Sequence, residues 1–190
     1  MPRKFAAIAV DLAGVLTADG LREVQNRLEG RYANFSETFR KHWYKCAKGS
    51  ITTAEMWSSV FRNYGTEIDS DAARMLDEEA VLNHRVNQRV LRMLERSRKK
   101  GRKTFLVTNT AYEYLNEIER RHHLRFGELF TGIIAPYLTG RMKPDERVFS
   151  MLIDECGVEP EEILYLDDSQ KNVETARNLG IDARVYRYLG

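Results

Sequence analysis

The chain has 190 residues, 43% of them apolar and 31% charged, with a formal net charge of +2. That is an ordinary soluble composition, long enough for one domain with an insertion and for a sizeable buried core. It excludes the global basic field that would draw in nucleic acid or an anionic membrane, and no apolar run approaches membrane-spanning length.

Residues 5–10, Phe-Ala-Ala-Ile-Ala-Val, form an apolar run ending in Asp11, the pattern of a strand covered on both faces. The run is short and leads straight into a polar motif, so no signal peptide is expected. From 18 to 84 the rhythm changes. Helical segments are expected near 20–31, 34–48, 52–64 and 70–80, with no strand, and Thr52 with Glu55 reads as a capping box. Phe35, Phe39, Trp43, Trp57, Phe61 and Tyr64 recur near helical spacing and are expected in a core. His84, after them, is read as structural. Residues 86–100 form a helix through Val86, Val90, Leu91, Met93 and Leu94. The basic run 95–103 is its solvated end, where cations suit the helix dipole.

A second strand, 104–107, ends in Thr108-Asn109. A helix over 111–123 follows, with His122 and His123 at its end as surface groups. Residues 132–135 form a strand leading to Pro136, and 145–156 a helix. The strand 163–166 ends in Asp167-Asp168, and Asp168-Ser169 is placed to cap a helix over 170–179 that Gly180 stops. A last short strand is expected near 183–185. This alternation predicts an α/β fold, a parallel sheet flanked by helices, with a helical bundle inserted between its first two strands. The domains are then 1–17 with 85–190, and 18–84. Cys46 and Cys156 lie far apart, without metal-ligand spacing, and read as reduced thiols of a cytosolic protein.

In an open α/β sheet, ligands bind beyond the carboxyl ends of the strands. Asp11, Thr108-Asn109, Lys143 and Asp167-Asp168 all fall there. Carboxylates brought that close repel one another unless a cation neutralises them, and hard oxygen ligands suit Mg²⁺. Thr108 and Lys143 supply a donor and a positive charge for an anion such as phosphate. The backbone N–H groups after Asp11 and Thr108, those of Leu12, Ala13 and Asn109, are further candidate donors, and Gly14 allows a sharp turn.

The ordered set Asp11-Leu12-Ala13-Gly14-Val15, Thr108-Asn109, Lys143-Pro144 and Asp167-Asp168-Ser169 with Asn172 resembles the four motifs of the haloacid dehalogenase superfamily. The segment from His42-Trp43-Tyr44-Lys45 to Trp57 is also similar to the branch containing the epoxide-hydrolase N-terminal phosphatase domains. The resemblance implies a Rossmann-like core with residues 18–84 as a cap. It implies Asp11 as nucleophile and Mg²⁺ ligand, with Asp168 and the Ala13 carbonyl as further ligands and Asp167 in the metal's outer shell. It implies Thr108 and Lys143 holding the phosphoryl group of a small phosphorylated metabolite. Ser169 and Asn172 would support them.

Ala13 departs from that pattern, because most phosphatases of the superfamily carry there an aspartate that protonates the leaving alcohol. Loss of a general acid typically costs on the order of 10²–10⁴-fold in rate. Three readings follow. Another group, Asp19 or His42, or water takes the role. Or the chain resembles the phosphonoacetaldehyde hydrolases, with Lys41, Lys45 or Lys48 forming a Schiff base. Or it is a metal- and phosphate-binding module without turnover. Dehalogenation fits less well, because the fourth motif of dehalogenases resembles Ser-x-Asn and not Asp167-Asp168.

Overall fold

A computed structural model describes residues 5–188. In chain order the elements are β1 (Ala7–Val10), α1 (Gly20–Glu29), α2 (Phe35–Ala47), α3 (Thr53–Arg62), α4 (Ser70–Leu82), α5 (Gln88–Lys99), β2 (Lys103–Val107) and α6 (Tyr112–Arg121). Then come α7 (Phe126–Leu129), β3 (Gly132–Ile134), α8 (Pro136–Thr139), α9 (Glu146–Cys156), a 3-10 turn (Pro160–Glu162), β4 (Ile163–Asp167), α10 (Gln170–Asn178) and β5 (Asp182–Val185). The strands form one parallel sheet in the order β3-β2-β1-β4-β5. The expected α/β class holds. The short α7, α8 and the 3-10 turn lie in stretches whose apolar pattern is too brief to carry a helical period.

The two-residue period of the strands divides the core. Ile8, Val10, Leu106, Leu164 and Leu166 face α5 and α6, packing with Val90, Leu94, Leu115 and Ile118. Ala7, Ala9, Phe105, Val107 and Tyr165 face α9 and α10, packing with Phe149, Leu152, Val173 and Ala176. Both faces are therefore covered, which is why the strands read as unbroken apolar runs.

The helices α1–α4 pack on one another around a cluster of rings. Phe35, Trp57 and Phe61 are buried at its centre, and Tyr32 stands edge-on to Phe61 at 5.4 Å. Thr52 caps α3 in a complete capping box with Glu55. Gly20 sits where an added Cβ would come within 2.1 Å of the Ala80 carbonyl, so α1 meets the end of α4 backbone to backbone. His122 Nε2 reaches the Val81 carbonyl at 3.0 Å and ties α6 to α4, a more specific place than the exposed surface expected for it. No helix among the described residues is long and apolar enough to cross a membrane.

Candidate active site

The parallel register sets the site. Val10 lies opposite both Leu106 and Leu166, so the ends of β1, β2 and β4 are level. Asp11 follows β1 and stays on the ladder, its N–H donating to the Leu166 carbonyl at 2.9 Å. Asp167 closes β4, and Thr108 follows β2 with its N–H on the Ile134 carbonyl. Beyond them Gly14 turns with φ +80°, and a Cβ there would lie 2.7 Å from Asp168 Oδ2. The glycine lets the loop close onto that carboxylate.

Lys143 comes from the loop between α8 and α9. Asn109 holds it: the Lys143 N–H donates to Asn109 Oδ1 at 2.8 Å, and Asn109 Nδ2 donates to the Lys143 carbonyl at 3.0 Å. The ammonium donates to the Val107 carbonyl and to Asp167 Oδ2, both at 2.7 Å, and lies 2.9 Å from Asp11 Oδ1. The Tyr165 hydroxyl is 3.2 Å away and also donates to Asp167 Oδ2. Three ammonium protons thus face four acceptors on a side chain that is 1% exposed.

One oxygen from each of Asp11, Asp167 and Asp168 can lie within 4.8 Å of the others. Burial pushes the Asp11 carboxyl up to about 8; Lys143 opposes this, and Asp167 and Asp168 add to it. For Lys143, burial favours the neutral amine, but Asp11 and Asp167 outweigh it and hold the ammonium above its ordinary value. Burial would raise Asp167 too, yet its pairing with Lys143 keeps it below the carboxylate range. Asp168 is raised by burial and by Asp167. Three carboxylates against one ammonium leave excess negative charge among hard oxygens, a donor set that fits a divalent cation such as Mg²⁺.

A cleft of about 830 Å³ opens over this cluster, between the strand ends and the inserted helices. Asp11, Ala13, Thr108, Asn109, Lys143 and Asp168 line it. Some expected donors are engaged elsewhere. The Leu12 N–H donates to Asp11 Oδ1 at 2.7 Å, and the Leu12 side chain is buried. The Asn109 amide binds the Lys143 backbone at both ends, so it positions the lysine rather than offering itself to a ligand. Thr108 Oγ1 accepts from the Thr110 N–H at 3.2 Å and lies 2.7 Å from Thr110 Oγ1, where either hydroxyl can donate, so its own proton can still serve a ligand. Asp167 Oδ1 accepts from the Ser169 N–H at 2.8 Å and from Asn172 Nδ2 at 2.9 Å. Ser169 stands at the N-cap of α10, but its side chain makes no capping bond.

The candidates for the role missing at Ala13 separate. Asp19 lines the cleft, but it caps α1 through the Arg22 N–H at 3.0 Å and pairs with Arg22 Nε at 3.2 Å. His42 points to Asn63, 3.2 Å away, and does not line the cleft. Nor do Lys41, Lys45 or Lys48; Lys41 pairs with Glu37 and Lys48 lies over the Tyr44 ring. Tyr165 and Tyr114 were not anticipated. Tyr165 shares a strand face with Asp167, two residues on, a signal that period-two spacing carries. The Tyr114 hydroxyl donates to Asp77 of α4, which also accepts from Trp57 Nε1 and Thr53 Oγ1, both at 2.6 Å. That network joins α6 to the inserted helices, and its partners are too far apart in sequence to be read there.

The comparisons with known proteins follow the same lines. A family model described as haloacid dehalogenase-like hydrolase matches residues 5–180. The sesquiterpene phosphatase astK of Aspergillus oryzae is 25% identical over 93% of this chain and 87% of its own length. The bifunctional epoxide hydrolase 2 of Mus musculus is 27% identical over 54% of this chain, and the chain spans about a fifth of that relative's length (19%). A HAD family enzyme from Bacteroides thetaiotaomicron, solved with magnesium and inorganic phosphate, superposes with a TM-score of 0.75 at 21% identity, covering 95% of this chain and 93% of the other. Motif order, strand-end geometry and a profile match over most of its length agree: the chain belongs to the haloacid dehalogenase-like hydrolases.

Proposed function

We propose that the chain is a Mg²⁺-dependent, phosphatase-type hydrolase that transfers the phosphoryl group of a small phosphorylated metabolite to Asp11. The observation that carries this reading is the contact of Lys143 with Asp11, at 2.9 Å, inside a cluster of three carboxylates. Lys143 and the Leu12 N–H hold Asp11 Oδ1 and leave Oδ2 to attack phosphorus. Thr108, at the end of β2, orients the phosphoryl oxygens. Asp11, Asp168 and the Ala13 carbonyl are the ligands for Mg²⁺, which would screen the carboxylates and stabilise charge on the transferring oxygens. Both oxygens of Asp167 already accept hydrogen bonds from the protein, which suits an outer-shell role.

Residues 18–84 act as the cap, and 1–17 with 85–190 as the catalytic core. Phosphatases among the relatives, astK and the N-acetylmuramic acid 6-phosphate phosphatase of Pseudomonas aeruginosa, support the reaction class. Carbon-centred hydrolysis through a Schiff base has little support, because no lysine of the inserted helices lines the cleft. Cytosolic placement accords with two buried, unpaired cysteines. Acid-quench trapping with phosphorus-labelled acetyl phosphate tests the reading. Acid-stable label on Asp11 in the presence of Mg²⁺ is expected, and label that persists in Asp11→Asn contradicts it.

A further inference from the structure

The wall of the cleft facing the carboxylates is one side of α2. Ser36, Phe39, Arg40, Trp43 and Tyr44 line it at spacings of three and four, a single helical stripe. Its rings are mutually fixed. Phe39 stacks on Trp43 at 5.6 Å, and Trp43 meets Tyr114 edge-on at 5.7 Å. Tyr114 is anchored through its hydroxyl to Asp77. Phe39 and Tyr114 are themselves buried, so the half-buried Trp43, held between them, is the ring that offers a flat apolar contact area without ordering a new side chain.

A second, independent feature is the floor. Ala13 supplies no proton, and four of the ionisable groups that line the cleft are engaged. Asp19 is held by Arg22, the Lys143 ammonium by its acceptors and the Tyr114 hydroxyl by Asp77. His84 Nδ1 is 2.9 Å from Thr17 Oγ1, and burial keeps the ring neutral, pushing its pKa to about 4.

We infer that the site takes phosphates of good leaving groups with an aromatic body, aryl phosphates above all, seated against Trp43, and releases the leaving group without a proton from the protein. The inference rests on the aspartyl-phosphate reading above. An Asp11 oxygen forms the bond to phosphorus while the bond from phosphorus to the aryl oxygen breaks. The electron pair leaves on that oxygen as a phenolate, which takes its proton from bulk water. Water then attacks phosphorus, giving inorganic phosphate and the Asp11 carboxylate, and the water proton goes to the phosphate. A phenol has a pKa of about 10, against about 16 for water and similar alcohols. Only the former departs readily without an acid.

Four probes separate the two features: p-nitrophenyl phosphate (aromatic, good leaving group), benzyl phosphate (aromatic, poor), acetyl phosphate (small, good) and glycerol phosphate (small, poor). With Mg²⁺, kcat/KM for p-nitrophenyl phosphate should exceed that for benzyl phosphate by at least ~100-fold, the value of a missing general acid. The preference for p-nitrophenyl over acetyl phosphate should fall about tenfold in Trp43→Ala, and by less in Trp43→Leu, which keeps apolar bulk. Benzyl phosphate turned over as fast as p-nitrophenyl phosphate would reveal a protein acid and overturn the inference while Asp11 chemistry stood. An unchanged preference in both folded Trp43 variants would remove the aromatic seat. Absence of Asp11-dependent turnover on acetyl phosphate would instead sink the underlying reaction.

Discussion

Lys143 Nζ and Asp11 Oδ1 lie 2.9 Å apart, although one follows the first strand and the other sits in a loop beyond the third. The same ammonium holds Asp167, so a single cation balances two buried carboxylates. Lys143→Met removes it and leaves Asp11 and Asp167 without their counter-charge. Breaking a buried pair typically costs about 3–5 kcal/mol. Urea denaturation of the metal-free variant should reveal a loss of that order, and added Mg²⁺ should recover part of it. Equal stability of the variant and wild type without metal would mean that Lys143 does not balance the cluster.

Gly14→Ala meets two obstacles, a left-handed φ of +80° and a Cβ 2.7 Å from Asp168 Oδ2. The backbone term alone is about 1–2 kcal/mol. Displacement of Asp168 should also weaken Mg²⁺ binding. Calorimetric titration with Mg²⁺ checks this, and unaltered affinity would separate the turn from the metal site.

Asp77 accepts from Trp57 Nε1, Thr53 Oγ1 and the Tyr114 hydroxyl. Asp77→Ala leaves those donors without their shared acceptor, at about 2–3 kcal/mol. Trp57, fully buried, is one of only two tryptophans. Its emission should shift to the red if the inserted helices loosen from α6. A lowered denaturation midpoint with unchanged emission would confine the effect to stability.

His84 is buried and neutral, with a folded pKa of about 4 against an ordinary 6.5. Below 6.5 the unfolded state binds a proton that the folded state refuses, so stability falls as pH drops from about 6.5 to 4 and then levels. The contribution is on the order of 3 kcal/mol. Denaturation across that window should give a shallower pH dependence for His84→Gln than for the wild type. Parallel curves would assign the acid sensitivity to other groups.

Much of the architecture is legible in sequence because it repeats a local rule. Runs such as 163–166 announce strands covered on both faces, and Thr52 with Glu55 announces the start of α3. The site is legible for a related reason: parallel strands bring their carboxyl ends to one edge, so polar residues that close apolar runs meet there. What escapes is whatever depends on side-chain direction across elements. Asn109 looks like a ligand-binding residue until its amide is found on the Lys143 backbone. His42 and Asp19 are equal candidates by residue type, and only orientation on α2 and at the head of α1 separates them. Which rings of α2 are core and which face the cleft is likewise decided by packing. Phe35 and Phe39 are buried, Phe39 reaching the cavity only by an edge, whereas Trp43 is half-buried and lines it.

The most direct measurement is hydrolysis of acetyl phosphate and p-nitrophenyl phosphate with Mg²⁺ or EDTA, comparing wild type with Asp11→Asn. The account predicts turnover that requires Mg²⁺ and disappears in the variant while the fold, read by circular dichroism, is kept. Turnover that survives in Asp11→Asn, or that EDTA leaves intact, would contradict it.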